Sequence, residues 1–468
     1  MNRQRERTGA RRLVVSWRGR TLIAAVGLGV VATASVLTAT RSTEPGRTVE
    51  AAGPTAGTEA SPTLQPGGTR AATEPGALAL PRVPWAGGPA YYDRFPAVAA
   101  AGWTDPGFFP IGVWFQSVVT QGDVDLDRDA GINTYFELTE SSDMSLVREN
   151  GMFAIPSQQL AGYGDETVGW LLDDEVDMWA RGGNAAWTGN YSGEGEPCDP
   201  PDAGCGDTVL RTLTARLPEA DGRLRYTNFG KGVMMWLPEA DADRFVNDYT
   251  DLVSTDIYWY TDGNICGEAQ NFLRVPPEQC RLAANYGYTV DRTRALDARD
   301  GRLQPVLAFV EVGWPSERGI EPDQLTGAVM SSLIHEARGI IYFNHNFGGP
   351  CITQHVLRDE CGEAIRPTVV EINRKISGLA EVLNTQSYEH SFNPTLDTML
   401  KEHDGSFYAF AMLGRGSAIG EHTLSLPDGL RAATVEVLFE DRVLPVDAGR
   451  FSDSFDAEYS YHIYKITP

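Results

Sequence analysis

The sequence predicts an α/β chain, a (β/α)8 TIM barrel followed by a small antiparallel β-sandwich. Three observations carry this. Between Leu80 and Leu383, eight short apolar runs alternate with segments of helical spacing. That is the pattern of buried parallel strands joined by crossover helices. Polar and acidic residues gather at the C-terminal ends of those runs. Beyond Ser387 the helical period stops and short alternating runs take over, with turn signals at Asp404-Gly405 and Asp428-Gly429.

The expected strands follow in order. They are Phe108–Phe115, Ile132–Leu138, Met152–Ile155, Val168–Leu172, Leu224–Asn228, Leu252–Tyr260, Pro305–Val310 and Gly339–Phe343. Helical spacing marks Asp207–Leu217, Ala240–Asp251, Gln324–Ala337 and Pro367–Leu383. One unit is thin. Gln158–Thr167 is short and glycine-rich, so the helix between the third and fourth strands is expected to be missing. In the C-terminal part the short strands are Ser406–Met412, His422–Leu426, Thr434–Phe439 and Tyr459–Ile466.

The resulting division is residues 1–41 as a signal peptide or membrane anchor, 42–79 as a flexible linker, 80–385 as the barrel and 386–468 as the sandwich. Seven arginines stand in the first 20 positions, and Thr21–Thr40 then carries no charge. A cleaved signal would use Leu22–Val31 and a small-residue site at Ala32-Thr33-Ala34. An uncleaved anchor would use the full run, which just reaches the roughly 20 residues of a spanning helix. Arg11-Arg12 is a partial twin-arginine match. Either way a secreted or membrane-anchored extracellular protein is expected, and a monomer. Ser42–Ala79, rich in Thr, Ala, Gly and Pro, reads as a spacer.

Composition excludes several partners. The net charge is −24, with 63 acidic and 39 basic side chains. Nucleic acid and anionic polymers are disfavoured, and a neutral ligand suits such a surface. Six cysteines fall into close pairs: Cys198 with Cys205, Cys266 with Cys280, and Cys351 with Cys361. Local disulfides are the simplest pairing in an oxidising compartment, with a zinc site as the competing reading.

The stretch that organises the barrel is Trp170–Trp179, W-L-L-D-D-E-V-D-M-W. An apolar run leads into Asp173, Asp174, Glu175 and Asp177. Glu311 ends the run P-V-L-A-F-V-E-V-G-W in the same way. Barrel chemistry sits at the C-terminal ends of strands. The other polar residues expected there are Gln116, Glu137, Glu140, Gln158, Gln159, Asn228, Lys231, Asp256, Tyr258, Tyr260, Asn344, His345 and Asn346. All seven histidines lie at or after His335, so a metal hydrolase is not expected, and no cofactor is. No G-x-S-x-G elbow is present. Paired carboxylates remain, and they need one raised acid and one ionised base. Asp173, Asp174 and Asp177 would raise Glu175, while Glu311 would need a donor such as Tyr258. Trp114, Trp236, Trp259 and Trp314 are candidates to stack on sugar faces. Bland readings stand beside these. Glu175 could be a helix N-terminal acid, Glu311 a salt-bridge partner, Asp173 and Asp177 structural, His345 a satisfied polar contact, and Glu137 and Glu140 solvated loop charges.

An acid cluster after strand four and a lone Glu after strand seven resemble clan A of the retaining (β/α)8 glycoside hydrolases. D-D-E-V-D is similar to the D-E-P-D form of some members, and S-T-D-I-Y-W-Y to a strand-six D-x-Y-P motif. The resemblance implies Glu175 as acid/base and Glu311 as nucleophile, acting on an oligo- or polysaccharide without a metal. Asp174, Asn228, Asp256, Tyr258, Trp314, Phe343 and His345 would contact substrate. Two features depart from the clan. Asp174 stands where it usually has Asn, and Phe343 and His345 stand where it usually brings a Trp. The alternative is a non-catalytic cell-surface carbohydrate-binding protein on a degenerate barrel.

Overall fold

The computed structural model describes residues 78–157, 159–179, 205–316 and 318–468. The expected signal or anchor, most of the linker, Gln158 and Cys198 of the expected Cys198–Cys205 pair lie outside the described residues. No helix among the described residues is long and apolar enough to cross a membrane.

Eight parallel strands form the barrel. They are β1 Ile111–Gln116, β2 Thr134–Leu138, β3 Phe153–Ile155, β4 Gly169–Asp174, β5 Leu224–Phe229, β6 Leu252–Asp256, β7 Val306–Glu311 and β8 Ile340–Phe343. Their order is β3-β2-β1-β8-β7-β6-β5-β4. Between β3 and β4 the ladder thins to a few bonds. Val168 N donates to Ala154 O at 3.0 Å, and Leu171 N to Pro156 O at 3.0 Å. The thin unit predicted from sequence is here: residues 159–167 make turns and a bridge, with no helix.

Side chains alternate along each strand. One parity fills the interior with Trp114, Phe136, Ile155, Leu171, Tyr226, Phe309 and Ile341. Phe136 on β2 meets Tyr226 on β5 with ring centroids 5.1 Å apart. Gly112 makes room for that contact, since a Cβ there would lie 2.4 Å from the Phe136 ring. The other parity, including Val113, Tyr135, Leu172, Val253, Val310 and Tyr342, packs outward in the larger core shared with the helices. The short helices Gly88–Tyr92 and Pro96–Ala100 stop the end of the barrel opposite the mouth, where Ala97 N donates to Gly222 O at 3.1 Å.

Seven antiparallel strands follow. They are β9 Leu396–His403, β10 Ser406–Leu413, β11 Gly420–Ser425, β12 Thr434–Val437, β13 Arg442–Pro445, β14 Arg450–Phe455 and β15 Tyr461–Ile466. One sheet runs β13-β12-β15-β10-β9, and β11 pairs with β14 in a second. Every residue of β10 is buried. Phe407, Ala409, Ala411 and Leu413 face the sandwich core, while Tyr408, Phe410 and Met412 join the barrel core. A strand buried on both faces reads as a continuous apolar run, and S-F-Y-A-F-A-M-L is one.

Candidate active site

The chain leaves β4 abruptly. Asp174 is its last residue, and Glu175 turns into the left-handed region with φ +49°. Its N–H donates to Asn228 O at 2.9 Å, and a short 3-10 turn, Val176–Trp179, follows. Asp177 in that turn is fully buried. Its carboxylate accepts from Gly230 N at 2.9 Å and Val233 N at 2.6 Å, fixing the loop after β5. Asp173 accepts from the Asp174 N–H at 2.8 Å. Asp174 and Glu175 are the two that keep partial exposure at the mouth.

Glu175 lies within electrostatic reach of Asp256, which ends β6, and each carboxyl shifts the titration of the other. Burial first, then the charges of Asp174 and Asp177, raise the Glu175 pKa to about 8, opposed by the neighbouring Asp256 carboxyl and the attraction of Lys231. Burial and the charges of Glu175 and Asp174 push Asp256 well above the usual carboxylate range. Burial lifts Asp174 to about 7 although Asn228 Nδ2 donates to it at 2.9 Å. Asn228 is held in turn by Ser254 Oγ at 2.6 Å, which meets Tyr226 OH at 2.6 Å. Lys231 spans Asp262 and Glu268, both at 2.6 Å.

Glu137 is the residue that sequence reasoning undervalued. It is not a solvated loop charge but is 3% exposed, at φ +66° near the end of β2. It accepts from Leu138 N at 2.9 Å and Ser157 N at 3.0 Å. Burial raises it to about 7, with Asp174 adding to the shift. The signal was present in T-Y-F-E-L, a buried run ending in an acid as the β7 run does. Glu140 is exposed.

Glu311 is fully buried at the end of β7. Its Oε1 accepts from Tyr286 OH at 2.6 Å, Thr261 Oγ1 at 3.2 Å and Tyr260 N at 3.3 Å. Its Oε2 has no donor among the described residues. Burial raises its pKa to about 7, opposed first by the Tyr286 bond. The donor expected from Tyr258 comes instead from Tyr286, on the helix Ala284–Asp297. Tyr258 OH donates to Asp256 Oδ2 at 2.9 Å. Tyr258 thus serves Asp256, the carboxyl on which Glu175 acts electrostatically, while Glu311 has its own set of donors.

An aromatic wall adjoins the acids. Tyr258 lies 5.2 Å from Phe343, Phe343 5.0 Å from His345, and His345 5.7 Å from Phe347. His345 Nε2 bonds Phe115 O at 3.1 Å, and burial lowers its pKa to about 4, so it is neutral. Trp314 is 37% exposed, its backbone N–H donating to Asn346 Oδ1 at 2.6 Å. Trp259 is no platform: it is fully buried, with Nε1 donating to Thr289 at 2.9 Å. Trp114 is likewise buried, and Trp236 lies beneath Lys231. Gln116 and Asn344 brace the loop after β8, through His355 Nδ1 at 2.8 Å and Leu357 N at 2.9 Å. Disulfides Cys266–Cys280 and Cys351–Cys361 close segments after β6 and β8. Among the described residues, no three His, Cys, Asp or Glu side chains are placed to hold a metal ion.

No protein-family model and no curated protein matches the chain. Solved structures do. One is an α-amylase from Anoxybacillus, 11% identical, covering 76% of this chain and 98% of its own, with a TM-score of 0.40. A second is a GH30 endoxylanase from Clostridium papyrosolvens, 10% identical, covering 77% and 97%, at 0.41. A third is a family 51 α-L-arabinofuranosidase from Bifidobacterium longum, 11% identical, covering 78% and 96%, at 0.43. Likeness of this strength carries neither substrate nor mechanism to the present chain.

Proposed function

We propose that the chain is a glycoside hydrolase acting at the C-terminal mouth of its barrel, with Glu175 as the proton donor. One observation carries this reading. A partly exposed carboxylic acid stands at the end of β4 with its pKa raised to about 8, so it is protonated at neutral pH. A general acid needs that state. Asp256, whose Oδ2 is held by Tyr258 OH at 2.9 Å, adds a neighbouring carboxyl to this proton donor.

Glu311 takes that second role. Three donors engage Oε1 and favour the ionised form, which leaves the lone pairs of Oε2 for attack on the anomeric carbon. The carbon–oxygen bond to the leaving sugar breaks as Glu175 transfers its proton to that oxygen. Water, deprotonated by Glu175, then releases the sugar with retained configuration. Trp314, Phe343 and Tyr258 supply ring faces, and Asp174 and Asn228 a hydroxyl-binding pair. Two disulfides and the basic, then apolar, start of the sequence support export.

Glu175→Gln and Glu311→Gln should each reduce turnover of an activated glycoside by at least about a thousandfold, with circular dichroism unchanged. The retaining step is checked with a mechanism-based fluoroglycoside trap, which should label Glu311. Label on another residue, or near-normal turnover in both variants, would overturn the assignment. The complete burial of Glu311 favours a second reading, a carbohydrate-binding barrel without turnover. Glycan binding that survives Glu175→Gln, with no hydrolysis by the unmodified chain, would establish it.

A further inference from the structure

The mouth carries more carboxyl groups than a proton donor and a nucleophile require. Glu137, Asp174, Glu175 and Asp256 come from the ends of β2, β4 and β6 and act on one another electrostatically. Lys231 is the cation that acts on Glu175, and Asp262 and Glu268 already bind it. Asp256 adds an independent observation. It is 6% exposed, and Tyr258 engages its Oδ2, yet its Oδ1 has no N–H or hydroxyl donor among the described residues. A buried acceptor left without a donor costs about 1–3 kcal/mol, and more when charged, so a donor arriving with a ligand explains it. The acids around it are not placed to hold a metal ion.

Tyr258 joins two chemistries. Its hydroxyl fixes Asp256 and its ring is one edge of the wall formed with Phe343. A buried carboxyl oxygen without a partner among the described residues therefore stands directly beside a sugar-sized aromatic face. Over the whole chain, 63 acidic side chains against 39 basic ones attract a cationic polymer and repel an anionic one.

We propose that the sugar bound at this mouth carries a free amine. The substrate class is an amino-sugar glycan with de-N-acetylated residues, its ammonium group on Asp256 beside Glu175 and Asp174 and its ring face on Tyr258 and Phe343. The proposal rests on the glycan reading of the mouth and deepens it. An ammonium group offers three donors and no acceptor, which matches the Asp256 oxygen left without a partner, and its charge favours ionisation of the acids around it. An N-acetyl group would remove that charge. A cation over an aromatic edge gains a further contribution from the ring.

Binding to the full chain is measured by calorimetry with matched hexasaccharides of β-1,4-glucosamine, β-1,4-N-acetylglucosamine and β-1,4-glucose, and with α-1,4-galactosamine and its N-acetylated form. Products are followed in parallel. A free-amine hexamer should bind at least tenfold more tightly than its acetylated or neutral counterpart. In the unmodified chain that preference should shrink as salt is raised about tenfold, since screening weakens charge pairing. Asp256→Asn should reduce the ratio to near one. Equal or tighter binding of the acetylated and neutral hexamers would overturn the amine proposal and leave the glycan reading standing. Binding of none of the hexamers would overturn both.

Discussion

Glu175 is held in a conformation that a non-glycine residue adopts at a cost. Its φ is +49°, and Phe115 and Glu137, also at strand ends by the mouth, have φ of +48° and +66°. A left-handed L-residue costs roughly 1–2 kcal/mol, and such strain persists where the surroundings enforce it and function uses it. Glu175→Gly should therefore raise the thermal midpoint by a few degrees while abolishing turnover, as scanning calorimetry and an activity assay would show together. An unchanged or lowered midpoint would mean that contacts of the side chain outweigh the strain. The same acids set a pH dependence. Glu175 rises from 4.5 to about 8 on folding, and Glu137 and Asp174 rise to about 7. The folded chain then binds more protons than the unfolded one between about pH 4.5 and 8, so their contribution to stability is lost as pH rises through that window. The midpoint should fall from pH 5 to pH 8, and less steeply in Glu175→Gln. A parallel slope in that variant would exclude Glu175 as a source.

At the scale of elements, the site depends on loops that brace one another. The segment after β6 supplies Tyr258 to the wall, Tyr260 N–H and Thr261 to Glu311, and Asp262 and Glu268 to Lys231. The Cys266–Cys280 bridge closes its far part with a separation of 14 residues. Replacing both cysteines by serine should destabilise the chain by about 3 kcal/mol at 25 °C, read by urea unfolding. Turnover should fall as well, because Lys231 loses a fixed partner. How far such loops can be read from sequence depends on where the partner lies. The run W-L-L-D-D announces a buried strand end, because acids stop an apolar run abruptly. The missing helix before it was legible from the glycines of residues 158–167. Tyr286 was not legible as a partner of Glu311. It lies within a helix, and the contact exists only once that helix packs beside β7. Trp259 misleads for a related reason. It neighbours Tyr258 at a strand end, but the backbone bend there sends one ring to the wall and the other into the core. Gln116 and Asn344 were visible as polar punctuation, while their bracing of the loop after β8 depends on residues far along the chain.

At the scale of the whole molecule, the barrel and the sandwich share buried charge as well as apolar surface. Lys401 on β9 is fully buried and donates to Thr385 O at 2.7 Å and Ser387 Oγ at 2.8 Å. It also reaches Glu336, at the approach to β8, at 3.6 Å. Glu336 is paired with Arg338, whose guanidinium lies 3.6 Å from the Trp85 ring centroid. Removing one member of a buried ion cluster leaves charge uncompensated and costs about 3–5 kcal/mol. Lys401→Met should lower stability by that order, in one urea transition in which barrel and sandwich signals coincide. Two separated transitions would show that the halves fold apart. The doubly buried β10 points the same way. Tyr408, Phe410 and Met412 belong to the barrel core, and Phe407, Ala409 and Ala411 to the sandwich core. Heredity feels this geometry. A recombination event that spliced a foreign partner at residues 384–395 would leave each fragment with a bare oily face and half an ionic cluster. Descendants of this chain can trade loops at the mouth freely, yet must pass on barrel and sandwich as a single heirloom.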